Sequence, residues 1–176
     1  MAQAPRIVLC VSGSIAAYKA CELVRCFVKA GAEVRVVLTE AASKFVSPLT
    51  LATLSKAPVV EDLFDPKHWE MAHLSLAGWA DKVVVAPSTA DTLSRLARGS
   101  AGSPVDAVVL SAQVPVFVAP AMDTEMWAHP ATQANVETLE GYGYTLLGPV
   151  EGELASGRVG MGRMVEPKDI VTKVLA

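Results

Sequence analysis

The chain has 176 residues, of which 52 % are apolar and 19 % charged, with a formal net charge of −3. That length holds one domain with a full core and leaves no room for two comfortable ones. The weakly acidic balance excludes an electrostatic case for nucleic acid or anionic membranes, and no apolar run reaches the roughly 18 residues of a membrane helix.

Ile7 to Val11 is a short β-branched run, expected to form a buried strand. It leads into Ser12-Gly13-Ser14-Ile15, after which Ala16, Ala20, Leu23, Val24, Phe27 and Val28 recur at helical spacing up to a capping Gly31. Strand, glycine turn and helix in that order make the backbone N–H groups opening the helix a natural anion site. The turn is neither G-x-G-x-x-G nor G-x-x-x-x-G-K-[ST], so no dinucleotide or nucleoside triphosphate is signalled, and structural punctuation is an even alternative. Arg6 before a short hydrophobic strand does not make a signal peptide. Cys10, Cys21 and Cys26 crowd the first quarter in the pattern of reduced cytoplasmic thiols, with no disulfide framework and no metal site expected.

Glu33 to Leu38 is a second strand, joined to the first by a right-handed parallel crossover. Thr39 then stands beside the first loop, either as a helix N-cap or with its hydroxyl on a phosphate; the two roles are compatible. Pro48 to Ser55 reads as a brief helix and Val59-Val60 as an edge strand. His73 opens a helical stretch, where a histidine by itself reads as a cap or a surface residue; His68 and His129 read as structural. Lys82 to Ala86 is a third strand, followed by Pro87-Ser88-Thr89-Ala90-Asp91-Thr92 and a helix through Arg98 closed by Gly99. A cap accounts for one of those hydroxyls and not for three in five residues.

Gly99 to Pro104 is a flexible link and Val105 to Ala112 a helix. The apolar run from Val114 is a strand ended by Pro120, so Ala121 to Trp127 fall just past its carboxyl end, where open parallel sheets bind ligands. Pro130 begins a helix reaching about Tyr142, and Tyr144 to Leu147 is a fifth strand. Residues 149–167 are rich in glycine and lack periodicity; long structureless loops of this kind carry function. Pro167 to Leu175 closes the chain as a helix.

The stretch P-A-M-D-T-E-M-W, Pro120 to Trp127, resembles the P-x-M-N-x-x-M-W signature of the flavin-dependent cysteine decarboxylases. That family includes phosphopantothenoylcysteine decarboxylase and the peptidyl-cysteine decarboxylases of lantibiotic synthesis. Pro120, Met122, Met126 and Trp127 match, and Asp123 stands where the family has Asn. The segment at His73 resembles the family's H-I-x-L-x-x-W-A-D. Ala86 to Thr92 resembles A-P-x-(S/T)-A-N-T, with Asp91 for Asn. Glu151 to Met164 resembles the substrate flap E-G-x-L-A-C-G-x-x-G-x-G-R-M, with Ser156 for the flap cysteine. The similarity spans the chain from Gly13 to Glu166, and these four motifs stand in family order.

The resemblance implies an α/β fold with a doubly wound, Rossmann-like or flavodoxin-like parallel sheet, a single domain over 1–176, and FMN as cofactor. It implies flavin contacts from Gly13, Ser14, Ile15, Thr39, Phe45, Ser88, Thr89, Ala90, Asp91, Thr92, Ala121 and Met122. It places His73, Asp123 and Ser156 in catalysis. It further implies a homotrimer or a dodecamer of trimers, flavin at the subunit boundary and His73 reaching a neighbour's site. The substrate class is a small molecule or peptide ending in cysteine. Flavin oxidises the thiol, the carboxylate leaves as CO₂, and in the phosphopantothenoylcysteine enzymes a flap cysteine protonates the resulting enethiolate as hydride returns. The closely similar activity is conversion of phosphopantothenoylcysteine to phosphopantetheine in coenzyme A biosynthesis. The synthetase domain that many bacterial homologues carry after the decarboxylase is not expected within these 176 residues.

Three polar departures modify that expectation. Ser156 is a far poorer acid than a thiol, so the reductive half-reaction is expected to be impaired or absent. Asp123 would repel a substrate carboxylate, and Asp91 would sit close to an anionic phosphate unless it faces a ribityl hydroxyl or a backbone amide. Alternative readings are therefore an oxidative decarboxylase or another flavin-dependent redox enzyme of the same fold, and a non-catalytic FMN-binding subunit.

Overall fold

The β-branched runs at β1 (Arg6–Val11), β2 (Glu33–Leu38), β3 (Val59–Val60), β4 (Lys82–Ser88), β5 (Val116–Pro120) and β6 (Thr145–Leu146) pair into one sheet. Its order is β3-β2-β1-β4-β5-β6, and every neighbouring pair is parallel. The structure is a computed structural model describing residues 3–65 and 70–176, so His68 lies outside the described residues. Order and direction are those of the doubly wound Rossmann arrangement, with reversal between β1 and β4 opening a crevice at the strands' carboxyl ends.

Helices cover both faces, which is why β1 and β4 carry near-continuous apolar runs rather than alternation. Ile7, Leu9 and Val11 point to one face, packed on Leu23 and Phe27 of α1 (Lys19–Lys29), Leu51 of α2 (Pro48–Ser55) and Ile170 of α8 (Pro167–Leu175). Val8 and Cys10 point to the other face. There they meet Leu76 of α3 (Ala72–Trp79), Leu93 of α4 (Ala90–Ala97), Val108 of α5 (Pro104–Ser111) and Leu139 of α7 (Pro130–Gly141). Fully burying each such side chain contributes about 1.5–3 kcal/mol.

Local signals set the element ends. Gly31 takes φ +86° just after α1, where an L side chain would be strained. The Thr89 and Ser103 hydroxyls accept the N–H groups of Thr92 and Asp106 as N-caps, and Nδ1 of His129 accepts that of Ala131. Several boundaries differ from expectation. Ile15–Tyr18 winds as a tighter 3₁₀ turn before α1 begins at Lys19. Strand β4 continues through Pro87 and Ser88, and a short helix α6 (Thr124–Ala128) occupies the turn after β5.

The largest correction concerns the glycine-rich segment. It is not structureless: β7 (Val150–Glu153) and β8 (Val159–Arg163) form an antiparallel hairpin. Its glycines are there for close approach. A Cβ on Gly162 would lie 2.2 Å from the Met122 carbonyl oxygen, and one on Gly160 would lie 2.3 Å from Thr124 Oγ1. The hairpin therefore lies flush on the turn after β5, and the Met122 N–H donates to Gly162 O at 3.0 Å. Gly162→Ala is expected to lift β8 off that turn. Hydrogen exchange should then show the Met122 amide losing protection while amides of β1 and β4 stay protected; unchanged Met122 protection would refute the close-approach account.

Candidate active site

Loops leaving the carboxyl ends of β1, β2, β4 and β5 converge over the β1–β4 reversal. Ser12, buried to 1 % exposure, ties two of them together. Its hydroxyl donates to Pro87 O at 2.8 Å and accepts the Thr89 N–H at 3.1 Å. The Ala121 N–H donates to Ser88 O at 2.9 Å, attaching the β5 loop to the same frame. The platform is held by main-chain groups and one buried hydroxyl, so its shape does not depend on mobile surface side chains.

Two clefts open on this platform. The first, about 440 Å³, runs between the β1 loop, the β5 turn and the hairpin. Ser14, Ile15, Ala121, Met122, Asp123 and Ser156 line it, together with Lys19 and Arg163. The second, about 650 Å³, lies between the loops after β1, β2 and β4, and takes Gly13, Thr39, Thr89, Ala90, Asp91 and Thr92. The candidate residues thus divide over two neighbouring hollows separated by the Gly13–Ser14 backbone.

Gly13 is where the β1 and β2 loops nearly touch: a Cβ there would fall 2.4 Å from Ala41 Cβ. Thr39 caps the turn Ala42–Lys44 by accepting the Ala42 N–H at 3.2 Å, and its hydroxyl hydrogen remains available to donate. Thr89 and Thr92 hydroxyls stand 3.0 Å apart. Ser88 lies in the strand beneath, lining neither cleft; it is wholly buried, with an Oγ that has no partner among the described residues. Phe45 is about half exposed and lines neither.

Of the three residues assigned to catalysis, two meet. The Ser156 hydroxyl donates to Asp123 Oδ2 at 2.6 Å, bringing the hairpin tip onto the start of α6. A second tether runs beside it from Arg158 to Glu125. The Glu125 side chain, the Ser156 hydroxyl and the Arg158 charge hold the Asp123 carboxyl below the usual carboxylate range, so it is ionised near neutrality. His73 stands apart on α3 and lines neither cleft; its Nδ1 is buried without a partner among the described residues.

Sequence reading missed Lys19 and its partner. Lys19 is 8 % exposed, and its Nζ donates to Glu166 Oε1 at 2.9 Å. That bond, with one from Arg163, holds the Glu166 carboxyl below its ordinary range. A lysine as the first residue of a helix opposes the helix dipole, but the helical spacing begins at Ala16, so only the structure, by starting α1 at Lys19, exposes that signal. Asp106, Glu125 and Arg158 were missed as well, since nothing local marks a charge whose partner is remote in the chain; Arg95 was missed although Asp91 stands one helical turn before it.

The family model described as Flavoprotein matches residues 1–176. The coenzyme A biosynthesis bifunctional protein CoaBC of Bacillus subtilis (strain 168) is 46 % identical over 166 residues, covering 94 % of this chain and 41 % of its own length. The chain thus spans about two fifths of the curated relatives it matches. A cysteine-to-serine mutant of PPC decarboxylase, complexed with pantothenoylaminoethenethiol, superposes with a TM-score of 0.87 at 35 % identity, covering 98 % of this chain and 97 % of that one. The FMN binding protein AtHal3 superposes with a TM-score of 0.84 at 35 % identity, covering 98 % and 96 %.

Proposed function

This chain belongs to the flavin-dependent cysteine decarboxylases of the Flavoprotein family, and on that premise we propose that it binds FMN and decarboxylates a cysteine-derived carboxylate. The named step is phosphopantothenoylcysteine decarboxylation in coenzyme A biosynthesis. The observation that carries the reading is a convergence at the β1–β4 reversal. A cradle of amides and hydroxyls, with no room for a Cβ at Gly13, adjoins a hairpin seated on Asp123.

The donor set fits FMN. Gly13, Ser14, Thr39, Thr89 and Thr92 offer the short donors a phosphate and a polyol take, and α4 points its N-terminus there. The orphaned Ser88 Oγ is a further polar atom in want of a partner. Ile15, Phe45, Ala90, Asp91, Ala121 and Met122 complete the proposed flavin contacts. Bound FMN would supply the two-electron oxidation at the thiol-bearing carbon. The chain's own residues orient and exclude: Met122 and Ala121 wall the first cleft, Lys19 and Arg163 present cations to an anionic substrate, and the hairpin covers it. His73 acts on a neighbour's cleft. Exposed Phe45, Leu49, Phe64, Met71 and Leu74 flank its segment and form the subunit contact of a trimer, alone or within a dodecamer. The chain acts as one flavoprotein domain, its flap spanning 149–167, in the cytoplasm.

A second reading is favoured by one contact. The Ser156 proton is engaged by Asp123, so the flap holds no acid for the enethiolate; oxidative decarboxylation with release of the enethiol follows, and the two electrons removed would pass from the cofactor to an external acceptor such as dioxygen. Purified protein supplied with FMN should turn yellow and retain the flavin through gel filtration. Incubated with phosphopantothenoylcysteine it should release CO₂. A colourless protein that takes up no FMN overturns both readings; bound flavin without turnover leaves a non-catalytic FMN-binding subunit.

A further inference from the structure

The second cleft offers a phosphate short donors but surrounds them with like charge. Glu40, Glu61, Asp62 and Asp91 line it, and Arg95 is the one cationic side chain among its lining residues. Arg95 Nε lies 3.4 Å from Asp91 Oδ2, one helical turn before it, and 3.5 Å from Asp106 Oδ2. Asp106 is wholly buried at the first turn of α5, and neither of its oxygens has a hydrogen-bond partner among the described residues; nor does Arg95 Nε. These contacts are therefore Coulombic: burial pushes the Asp106 carboxyl above its ordinary range, and the Arg95 guanidinium opposes that shift.

We infer that Arg95, anchored from below by buried Asp106, is the positioning residue that offsets Asp91 and so lets this cleft accept an anionic phosphate. The inference rests on the proposed FMN site and extends it: where the family carries a neutral Asn, this chain carries Asp91, and Arg95 supplies the compensating charge. A guanidinium suits the task because it stays ionised when partly buried and can address two carboxylates at once. Arg95 acts through Asp91 and the local field.

The test is titration of the flavin-stripped full chain with FMN and with riboflavin, which lacks the phosphate, read by quenching of flavin fluorescence. Arg95→Gln is expected to weaken FMN binding on the order of tenfold while leaving riboflavin unchanged, with a shallower salt dependence. Adding Asp91→Asn to Arg95→Gln should restore most of the loss, and Asp91→Asn alone should tighten FMN. Because Arg95→Gln strands buried Asp106, the pair Arg95→Gln with Asp106→Asn serves if the single variant fails to fold. Equal losses for FMN and riboflavin, or no rescue by Asp91→Asn, would mean a structural role and overturn the inference. A wild-type chain that binds riboflavin but gains nothing from the phosphate would overturn it too. If the wild type binds neither flavin, it is the functional reading itself that fails.

Discussion

Replacing Ser156 by Cys is expected to change the product, from an enethiol to the saturated thiol heavier by one hydride and one proton. The wild-type hydroxyl has its hydrogen committed to Asp123 Oδ2 at 2.6 Å, within the range of charge-assisted O–H···O⁻ bonds. A hydroxyl so held, and intrinsically a very weak acid, has nothing to deliver to carbon. A thiol with a pKa near 8.5 keeps its proton at neutrality yet can release it, and the adjoining Asp123 carboxylate favours the neutral form further. Asp123→Asn should act on a different quantity. Two carboxylates about 4 Å apart repel by roughly 1 kcal/mol in water and about 4 kcal/mol at an effective dielectric of 20. Removing one should lower KM for a carboxylate substrate by on the order of five- to a thousandfold. Product mass and KM are thus separable readouts. Enethiol as the sole product of Ser156→Cys, with or without Asp123→Asn, would show that the missing acid was not what stops the reaction.

His73→Asn is expected to lower kcat by about 10²–10⁴, the usual worth of a positioned proton-transfer group, while FMN binding survives. Nδ1 of His73 is buried without a partner among the described residues, a condition that costs about 1–3 kcal/mol. Stability alone would have favoured an apolar side chain there, in keeping with the proposed role of His73 in a neighbouring subunit's cleft. Since His73 lines neither cleft of its own chain, mixing His73→Asn subunits with Asp123→Ala subunits should regain part of the activity that each variant lacks. Mixed oligomers as inactive as their parents would refute action across a subunit boundary. Unchanged thermal stability in His73→Asn would separate lost chemistry from lost folding.

The two predictions draw on different kinds of information. Position 156 stood out in the sequence because its neighbours E-G-x-L-A and G-R-M frame it, whereas its bond to Asp123 spans 33 residues and has no local signature. The hairpin was unreadable for a related reason. Val150–Glu153 and Val159–Arg163 are largely exposed on both faces, so no period-two pattern arises, and the turn is held by Leu154 N–H to Arg158 O and Gly157 N–H to Leu154 O. Likewise α6 is five residues long, too short to show a helical period.

From sequence alone one could read whatever a few consecutive residues dictate: the buried strands from β-branched runs, the helix of Leu23, Val24 and Phe27 from spacing, and the stop at Gly31. The glycine turn at Gly13 and the end of the strand at Pro120 belong to the same class. Tertiary structure decided what depends on two distant segments sharing one place. That includes the pairing of Lys19 with Glu166 across 147 residues, the placing of Asp106 beneath Arg95, and the division of the candidate residues between two clefts. The physical reason is range. Backbone propensity and capping act over one or two turns of chain, whereas the desolvation and charge pairing that make a site are set by which strands lie side by side.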